Sequence, residues 1–407
     1  PRFKIVQKLI DKINELTREN LTGIRVVRAF NAEKYQENKF EDVNTDLTNM
    51  QLFNQKAFSV LSPTMYLVMY FLTLGIYFVG AYLIRDAGMV DKISIFGNMV
   101  VFSSYAMQVI MSFLMLAMIF MMVPRAQVSA NRINEVLDTE ITVKSGTIDK
   151  NTTNEVGTVE FRNVGFKYPD GEDAVLSNVS FKANKGDTVA FIGSTGSGKS
   201  TLINLIPRFY DATEGEILVD GVNVKDYNLN FLYNKIGYVS QKAVIFNDTV
   251  TGNVAYGDNG KGKISKEKVK EAIEVAQGKD FVEKMENTYD TQMAQSGTNV
   301  SGGQKQRLSI ARAIARDPEI YIFDDSFSAL DYKTDSILRK ELKKYTKDAT
   351  TLIVAQRIGT IMNADKILVL DEGKVVGEGT HKELLKTCEV YKQIALSQLS
   401  KEELDNA

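Results

Sequence analysis

The sequence is poor in residues that many functional sites need. Its 407 residues include one cysteine, one histidine and no tryptophan. The single cysteine, Cys388, excludes a disulfide framework and a zinc site made of four cysteines. The formal net charge is −2, so the chain has no bulk basic field of the kind that attracts nucleic acid. We therefore expect no nucleic-acid partner.

Charged residues are absent from two long stretches, 57–84 and 93–124. A membrane-spanning helix needs roughly 20 apolar residues, so each stretch is long enough to cross a bilayer. Residues 85–92 between them fit a short hairpin loop. Lys and Arg residues precede the first stretch and follow the second, at Arg125 and Arg132, which places both flanks in the cytosol. The alternative is a buried hairpin of a soluble protein, which uncharged runs of this length disfavour.

Polar residues within the second stretch need partners in a membrane. Because hydrocarbon cannot satisfy them, we expect further transmembrane helices, from upstream sequence, a partner chain or both. The chain starts at Pro1 and is expected to begin inside a longer polypeptide. One helical face also carries methionines, which suit either a substrate wall of broad specificity or, as favoured here, lipid and helix contact. The polar residues are Ser103, Ser104, Gln108 and Ser112, and the methionines are Met107, Met111, Met115, Met118 and Met122.

The segment Gly193–Thr201 reads G-S-T-G-S-G-K-S-T and matches the phosphate-binding P-loop pattern. Glycines let backbone N–H groups approach phosphate oxygens, Lys199 brings a positive charge, and the Ser200 hydroxyl can ligate Mg²⁺. A predicted strand at 187–192 and a predicted helix at 200–206 flank the loop, which favours a nucleotide site over an ordinary glycine-rich turn. The predicted nucleotide-binding residues are Gly193, Ser194, Thr195, Gly196, Ser197, Gly198, Lys199, Ser200 and Thr201.

Two further segments carry polar groups that suit a phosphate site. Ile320–Asp325 reads as a buried strand ending in acids, of which Asp324 can hold Mg²⁺ and Asp325 can orient an attacking water. Val300–Gln304 (V-S-G-G-Q) is a glycine-rich turn that opens a helix. Ser301 can cap that helix, and Gly302 and Gly303 would let the backbone approach an anion. Taken alone, this second turn is more typical of an ordinary capped helix.

Together these motifs resemble the nucleotide-binding domain of ATP-binding cassette (ABC) transporters, over residues 158–400. V-S-G-G-Q-K-Q-R-L-S is similar to the family signature, which completes the ATP site of the opposite domain through Ser301, Gly302, Gly303 and Gln304. The resemblance implies that Tyr168 stacks on adenine and that Gln241 contacts Mg²⁺. Segment 328–331 resembles the D-loop. ATP and Mg²⁺ are the implied cofactors, with Ser200, Gln241 and Asp324 at the metal.

The first part of the chain resembles the membrane domain of ABC exporters. Residues 19–40 are similar to the second intracellular loop, with a glycine break at Gly23 and a short coupling helix near Asn31–Gln36. The implied fold is multi-domain, with an α-helical transmembrane hairpin (the last two of six exporter spans) followed by an α/β nucleotide-binding domain. The expected boundaries are a partial transmembrane domain at 1–135, a linker at 136–157 and a nucleotide-binding domain at 158–407.

Three positions depart from the family pattern. Asp325 stands where Glu is usual, Gln356 where the switch histidine is usual, and Gln295 where a Glu precedes the signature. The only histidine, His381, lies elsewhere in the chain. Because Asp is one methylene shorter than Glu, its carboxylate is withdrawn, and a misplacement of about 1 Å can cost on the order of 10²-fold in rate. We expect a site that binds ATP and hydrolyses it poorly, the alternative being conservative drift with activity retained.

The signature is nearly intact, with only Val300 where Leu is usual. Such a signature beside a weak catalytic site resembles the degenerate-site half of bacterial heterodimeric multidrug exporters. The expected partners are a second half-transporter that supplies Glu and His, the lipid bilayer and a hydrophobic small-molecule substrate. The expected location is the plasma membrane, crossed more than once, with the nucleotide-binding domain in the cytoplasm. Alternatives are an ATP-gated regulatory or channel protein, a homodimeric lipid or peptide exporter, and a soluble P-loop ATPase of the repair type, which the uncharged stretches oppose.

Overall fold

A computed structural model describes residues 2–398, so Pro1 and residues 399–407 of the predicted nucleotide-binding domain lie outside the described residues. The chain divides into two compact units between Glu140 and Ile141. The helices of the first unit are α1 (Arg2–Ala29), α2 (Glu33–Asp86) and α3 (Met89–Leu137).

Ion pairs and a few buried side chains join the three helices of the first unit. Lys39 of α2 lies 3.2 Å from Glu19 of α1, and Arg132 of α3 lies 3.3 Å from Asp11 of α1. These pairs are exposed and contribute little to stability. Between α2 and α3 the helices approach closely, because a methyl group at Gly80 would clash with the Sδ atom of Met99.

The structure corrects the expected break at Gly23 and the separate coupling helix near Asn31–Gln36. Helix α1 continues through Gly23, since glycine inside a helix costs only about 1 kcal/mol. The chain turns instead at Asn31, whose φ of 51° is left-handed. The Ala32 N–H donates to the Val27 carbonyl at 2.9 Å, which closes a Schellman motif. Glu33 then begins α2 directly, so the predicted short helix is the first turn of a long one.

Within residues 2–398, α2 and α3 are the two helices long and apolar enough to cross a membrane. Their most apolar segments are only 11% and 6% buried, unlike the core helix of a soluble protein. The exposed methionine face of α3 agrees with contact to lipid or to other helices. The exposed fractions of Met107, Met111, Met115, Met118 and Met122 run from 40% to 68%.

The second unit contains two sheets surrounded by short helices. The strands are β1 (Val159–Phe166), β2 (Leu176–Ala183), β3 (Thr188–Gly193), β4 (Glu214–Val219), β5 (Val222–Asn223), β6 (Ile236–Val239), β7 (Ile320–Asp324), β8 (Thr350–Val354), β9 (Lys366–Asp371) and β10 (Lys374–Gly379). The helices are α4 (Lys199–Asn204), α5 (Leu229–Lys235), α6 (Val250–Val254), α7 (Lys266–Val275), α8 (Lys279–Val282), α9 (Gly302–Arg316), α10 (Tyr332–Tyr345), α11 (Ile358–Ile361), α12 (His381–Thr387) and α13 (Glu389–Gln398).

The larger sheet has the order β10-β9-β3-β8-β7-β6, and all its pairings are parallel except that of β10 with β9. The smaller sheet, β2-β1-β4-β5, is antiparallel. Successive side chains of β3 point to opposite faces of the larger sheet, and both faces are buried. Phe191 faces the smaller sheet, where its ring lies 5.3 Å from that of Phe181. Ala190 and Ile192 pack in the separate core under the helices. This arrangement confirms the predicted α/β domain after a helical membrane region.

Near the C-terminus, the single histidine is buried and anchors α13. His381 is 4% exposed, and its Nδ1 atom lies 2.7 Å from the Tyr391 hydroxyl. Its Nε2 atom has no hydrogen-bond partner in the described part of the chain. Burial, with a smaller contribution from the Lys382 charge, lowers the pKa of His381. The folded protein therefore disfavours the imidazolium form.

Because the unfolded chain takes up this proton more readily, stability should be lost as pH falls through the unfolded pKa of about 6.5. Replacing the pair by His381→Phe with Tyr391→Phe keeps the packing and removes the titration. We expect the melting temperature of the purified protein to fall less between pH 7.5 and 5.5 in the double variant than in the parent. Equal falls would show that His381 is not the titrating group.

Candidate functional site: a nucleotide site at the carboxyl edge of the sheet

Most of the predicted site residues meet where four neighbouring parallel strands end. The P-loop follows β3, Gln356 follows β8, Asp324 ends β7, and Gln241 follows β6. The register is specific, since Val354 of β8 pairs with both Phe191 of β3 and Asp324 of β7. Ligands of such sheets bind outside the carboxyl ends of the strands. Residues far apart in sequence therefore converge on one edge.

The P-loop glycines are required for two different reasons. A methyl group at Gly193 would clash with the Leu370 carbonyl oxygen, and one at Gly198 would lie 2.7 Å from the Leu176 side chain. Gly196 has open space around it, and its φ of 86° is a left-handed conformation that glycine adopts without strain. Close packing thus explains Gly193, backbone conformation explains Gly196, and both apply at Gly198, whose φ is 93°.

Lys199 lies inside the loop and is 8% exposed. Its Nζ atom donates to the carbonyl oxygens of Gly193 at 2.9 Å and Ser194 at 2.6 Å, and to the Ser197 hydroxyl at 3.2 Å. Burial lowers the pKa of Lys199, and the nearby carboxylates of Asp325 and Asp324 oppose this shift. A phosphate group in the loop would supply the anion that this buried ammonium needs.

The residues predicted to hold Mg²⁺ are in part adjacent. The Ser200 hydroxyl donates to Asp324 Oδ1 at 2.9 Å. Burial raises the pKa of Asp324, an effect reduced by this hydrogen bond and increased by the neighbouring Asp325 carboxylate. A hydroxyl and a carboxylate are oxygen ligands of the kind Mg²⁺ prefers, with phosphate and water completing its shell. Ser200 and Asp324 therefore fit the ion, which would neutralise a charge that is costly to bury.

Asp325 is held between two amides. Its φ of 44° is left-handed, and its N–H donates to the Val354 carbonyl at 3.0 Å. Gln356 Nε2 donates to Asp325 Oδ2 at 2.9 Å, and Gln241 Nε2 donates to the same atom at 3.3 Å. Gln241, predicted as a metal ligand, contacts this carboxylate in the structure rather than Ser200 or Asp324. One oxygen of Asp325 is thus occupied by two neutral donors.

Two positively charged side chains, Arg357 and Lys199, act on the Asp325 carboxyl. Burial raises its pKa; the Gln241 hydrogen bond, then the charges of Arg357 and Lys199, oppose the rise. Arg357 also donates to the Ser328 carbonyl at 3.4 Å. Arg357 is not among the residues predicted from the sequence, although its place directly after Gln356 is a usable signal.

The signature turn is a capped helix start. The Ser301 hydroxyl accepts from the Gln304 N–H at 3.3 Å, and Gln304 Oε1 accepts from the Ser301 N–H at 2.9 Å. A methyl group at Gly303 would lie 3.2 Å from the Ala329 carbonyl, whereas Gly302 has open space. In residues 2–398 these polar side chains bond within the turn and not to the P-loop. The turn could therefore present its backbone to a group that comes from outside this chain.

Tyr168 lies beside the helix that follows the P-loop. Its hydroxyl is 3.0 Å from Thr201 Oγ1, and its ring packs edge-on against Phe166 at 4.8 Å and Tyr210 at 5.2 Å. Tyr210 is 39% exposed and offers a second aromatic surface at this end of the site. Tyr210 could not be predicted from the sequence, because no motif there distinguishes it from a core aromatic residue.

Both halves of the chain match family models. The model described as ABC transporter matches residues 176–328, and the model described as ABC transporter transmembrane region matches residues 1–113. An ABC transporter ATP-binding protein of Mycobacterium tuberculosis, described as uncharacterized, is 41% identical over 98% of this chain, which spans 67% of that relative. An ATP-dependent lipid A-core flippase of Pseudomonas aeruginosa is 37% identical over 94% of this chain, which spans 62% of that relative.

A solved structure of a bacterial Atm1-family ABC exporter with ATP bound gives the same fold. It has a TM-score of 0.83 and 29% identity, and the match covers 98% of this chain and 70% of that one. The fold and the site define a membrane protein with a P-loop nucleotide domain. The chain belongs to the ABC transporter family, with the architecture of an exporter. It is a multi-pass membrane protein whose nucleotide-binding domain is cytoplasmic.

Lys199→Ala should weaken ATP binding by roughly 10- to 100-fold, because a charge-assisted hydrogen bond to phosphate contributes about 1.5–3 kcal/mol. The matched control is Lys185→Ala, which removes the same charge from an exposed turn before β3. Equilibrium binding of a fluorescent ATP analogue to the purified protein measures both. Equal affinities for the two variants would contradict the assignment of the loop.

Proposed function

We propose that this chain is one subunit of a heterodimeric exporter that couples ATP binding and hydrolysis to the export of hydrophobic compounds. Its own site would bind Mg·ATP and hydrolyse it slowly. One observation carries this proposal: the Asp325 carboxylate is occupied by the neutral amides of Gln241 and Gln356. The proposed domain limits are 1–135, 136–157 and 158–407.

The chemistry of the pair supports slow hydrolysis. Attack on a γ-phosphate needs a carboxylate that orients water and cationic or hydrogen-bonding groups that stabilise the developing charge. The Asp325 side chain is one methylene shorter than the usual Glu, so its carboxylate reaches less far towards an attacking water. Its Oδ2 atom also already accepts two hydrogen bonds. Gln356 can donate a hydrogen bond to phosphate but cannot become a cation. Lys199, Ser200 and Asp324 keep the groups needed for binding.

The signature supports the role assigned to a partner. Ser301 and Gln304 form a complete cap, and Gly302 leaves the helix start open. These groups would complete a competent ATP site whose P-loop, Glu and His belong to a second half-transporter. In this arrangement ATP at Lys199 holds the two nucleotide-binding domains together, and hydrolysis at the other site reopens them.

A homodimeric lipid exporter is the second candidate, favoured by the relatives named lipid A-core flippase. The exposed methionine face of α3 suits an amphipathic lipid as well as a hydrophobic drug, so it does not separate the two substrates. The assemblies differ in their chemistry, because a homodimer would have to hydrolyse ATP at Asp325 itself.

The double variant Asp325→Glu with Gln356→His should hydrolyse ATP at least about tenfold faster than the parent, because it restores the reach of the carboxylate and a group that can carry charge. Single-turnover hydrolysis by the purified full-length chain, alone and co-expressed with its partner, measures this. The control carries the same changes at exposed positions, Asp348→Glu with Gln393→His.

Rapid turnover by the parent chain alone would contradict the slow-site proposal and support the homodimeric alternative. A double variant no faster than its control would show that the limit lies elsewhere than at Asp325 and Gln356.

A further inference from the structure

Helix α13 packs with one face on the nucleotide-binding unit, and that face ends at Gln398. Tyr391 and Ala395 are fully buried. Ala395 follows Tyr391 by four residues and Gln398 follows Ala395 by three, so all three lie on one face of the helix. The bond between Tyr391 and His381 fixes the start of the helix. The burial of these two side chains therefore decides where the amide of Gln398 lies.

The Gln398 amide bridges the backbone of the switch turn, defined here as Gln356–Ile358. Its Oε1 atom accepts from the Ile358 N–H at 2.8 Å, and its Nε2 atom donates to the Gln356 carbonyl at 2.7 Å. One side chain thus satisfies a donor and an acceptor on either side of Arg357. An amide can do both at once without charge, because its donor and its acceptor are separate atoms.

We propose that Gln398 is a positioning residue for the nucleotide site, acting through Gln356. The inference rests on the proposed function, in which Gln356 contacts the γ-phosphate of retained ATP. The switch turn orients two side chains towards the site: Gln356 donates to Asp325, and Arg357 donates to the Ser328 carbonyl. The Gln398 amide holds the backbone from which both project, so the end of α13 sets the geometry of the switch.

The Gln398 side chain is exposed, so water competes with both hydrogen bonds, although the one from Ile358 is partly buried. Losing a hydrogen bond of this kind changes an equilibrium or a rate by on the order of fivefold. Gln398→Leu removes both bonds with little change in size. Gln398→Glu keeps the acceptor, removes the donor and sets a carboxylate against the Gln356 carbonyl. Both substitutions leave Tyr391 and Ala395 in place.

The test measures release of a fluorescent ATP analogue from the full-length transporter with its partner. We expect Gln398→Leu and Gln398→Glu to release it on the order of fivefold faster than the parent. The matched controls are Gln393→Leu and Gln393→Glu, at an exposed position of the same helix. We expect these to match the parent in release of the analogue, and melting temperatures show whether any variant loosens the whole domain.

A double-mutant cycle with Gln356→Ala separates positioning from general loosening of α13. If Gln398 acts through Gln356, Gln398→Leu has no further effect on release in the Gln356→Ala background. Additive effects, or unchanged release in the single variants, would overturn the inference. Single-turnover hydrolysis by the parent tests the proposed function independently of this inference. If the parent site hydrolyses ATP rapidly, Gln398→Leu should lower kcat with KM unchanged. The double-mutant cycle with Gln356→Ala is then measured on kcat instead of on release.

Discussion

The parallel pairing of β3, β8 and β7 is the constraint on which the nucleotide site depends. Val354 pairs with Phe191 on one side and with Asp324 on the other, so three strand ends are aligned. That alignment puts the P-loop, the switch turn and the two aspartates within hydrogen-bond reach. A slip of one residue in β7 would turn Asp324 to the opposite face of the sheet and separate it from Ser200.

The strongest sequence predictions concern residues that phosphate chemistry restricts most. A P-loop needs glycines, lysine and a hydroxyl at fixed spacing, so Gly193–Thr201 could be recognised without a structure. Asp324 could be predicted as a site residue because it ends a buried parallel strand, at the edge of the sheet where the P-loop also lies. The two uncharged stretches predicted membrane helices because few soluble folds contain uncharged runs of this length.

Other features could not be predicted because they depend on contacts between segments distant in sequence. Nothing in the sequence shows that Gln241 and Gln356 share one oxygen of Asp325, or that Gln398 holds the switch turn. The helix break was predicted at Gly23, whereas the chain turns at Asn31. Glycine is only a weak helix breaker, and asparagine readily adopts a left-handed backbone conformation. Local patterns therefore predicted the parts of the site, and tertiary packing decided their partners.

In the proposed function, this chain both holds ATP at its own site and contributes to the ATP site of another subunit. The most direct measurement uses 8-azido-ATP labelled at either the α or the γ phosphate, photo-cross-linked to the complete transporter during turnover. Comparing the two labels on this chain shows whether the nucleotide it retains still has its γ-phosphate. The proposed function predicts equal α and γ label, because a slow site at Asp325 and Gln356 would leave its ATP intact. Label from the α phosphate alone would mean that this site hydrolyses its own ATP, and would contradict the account.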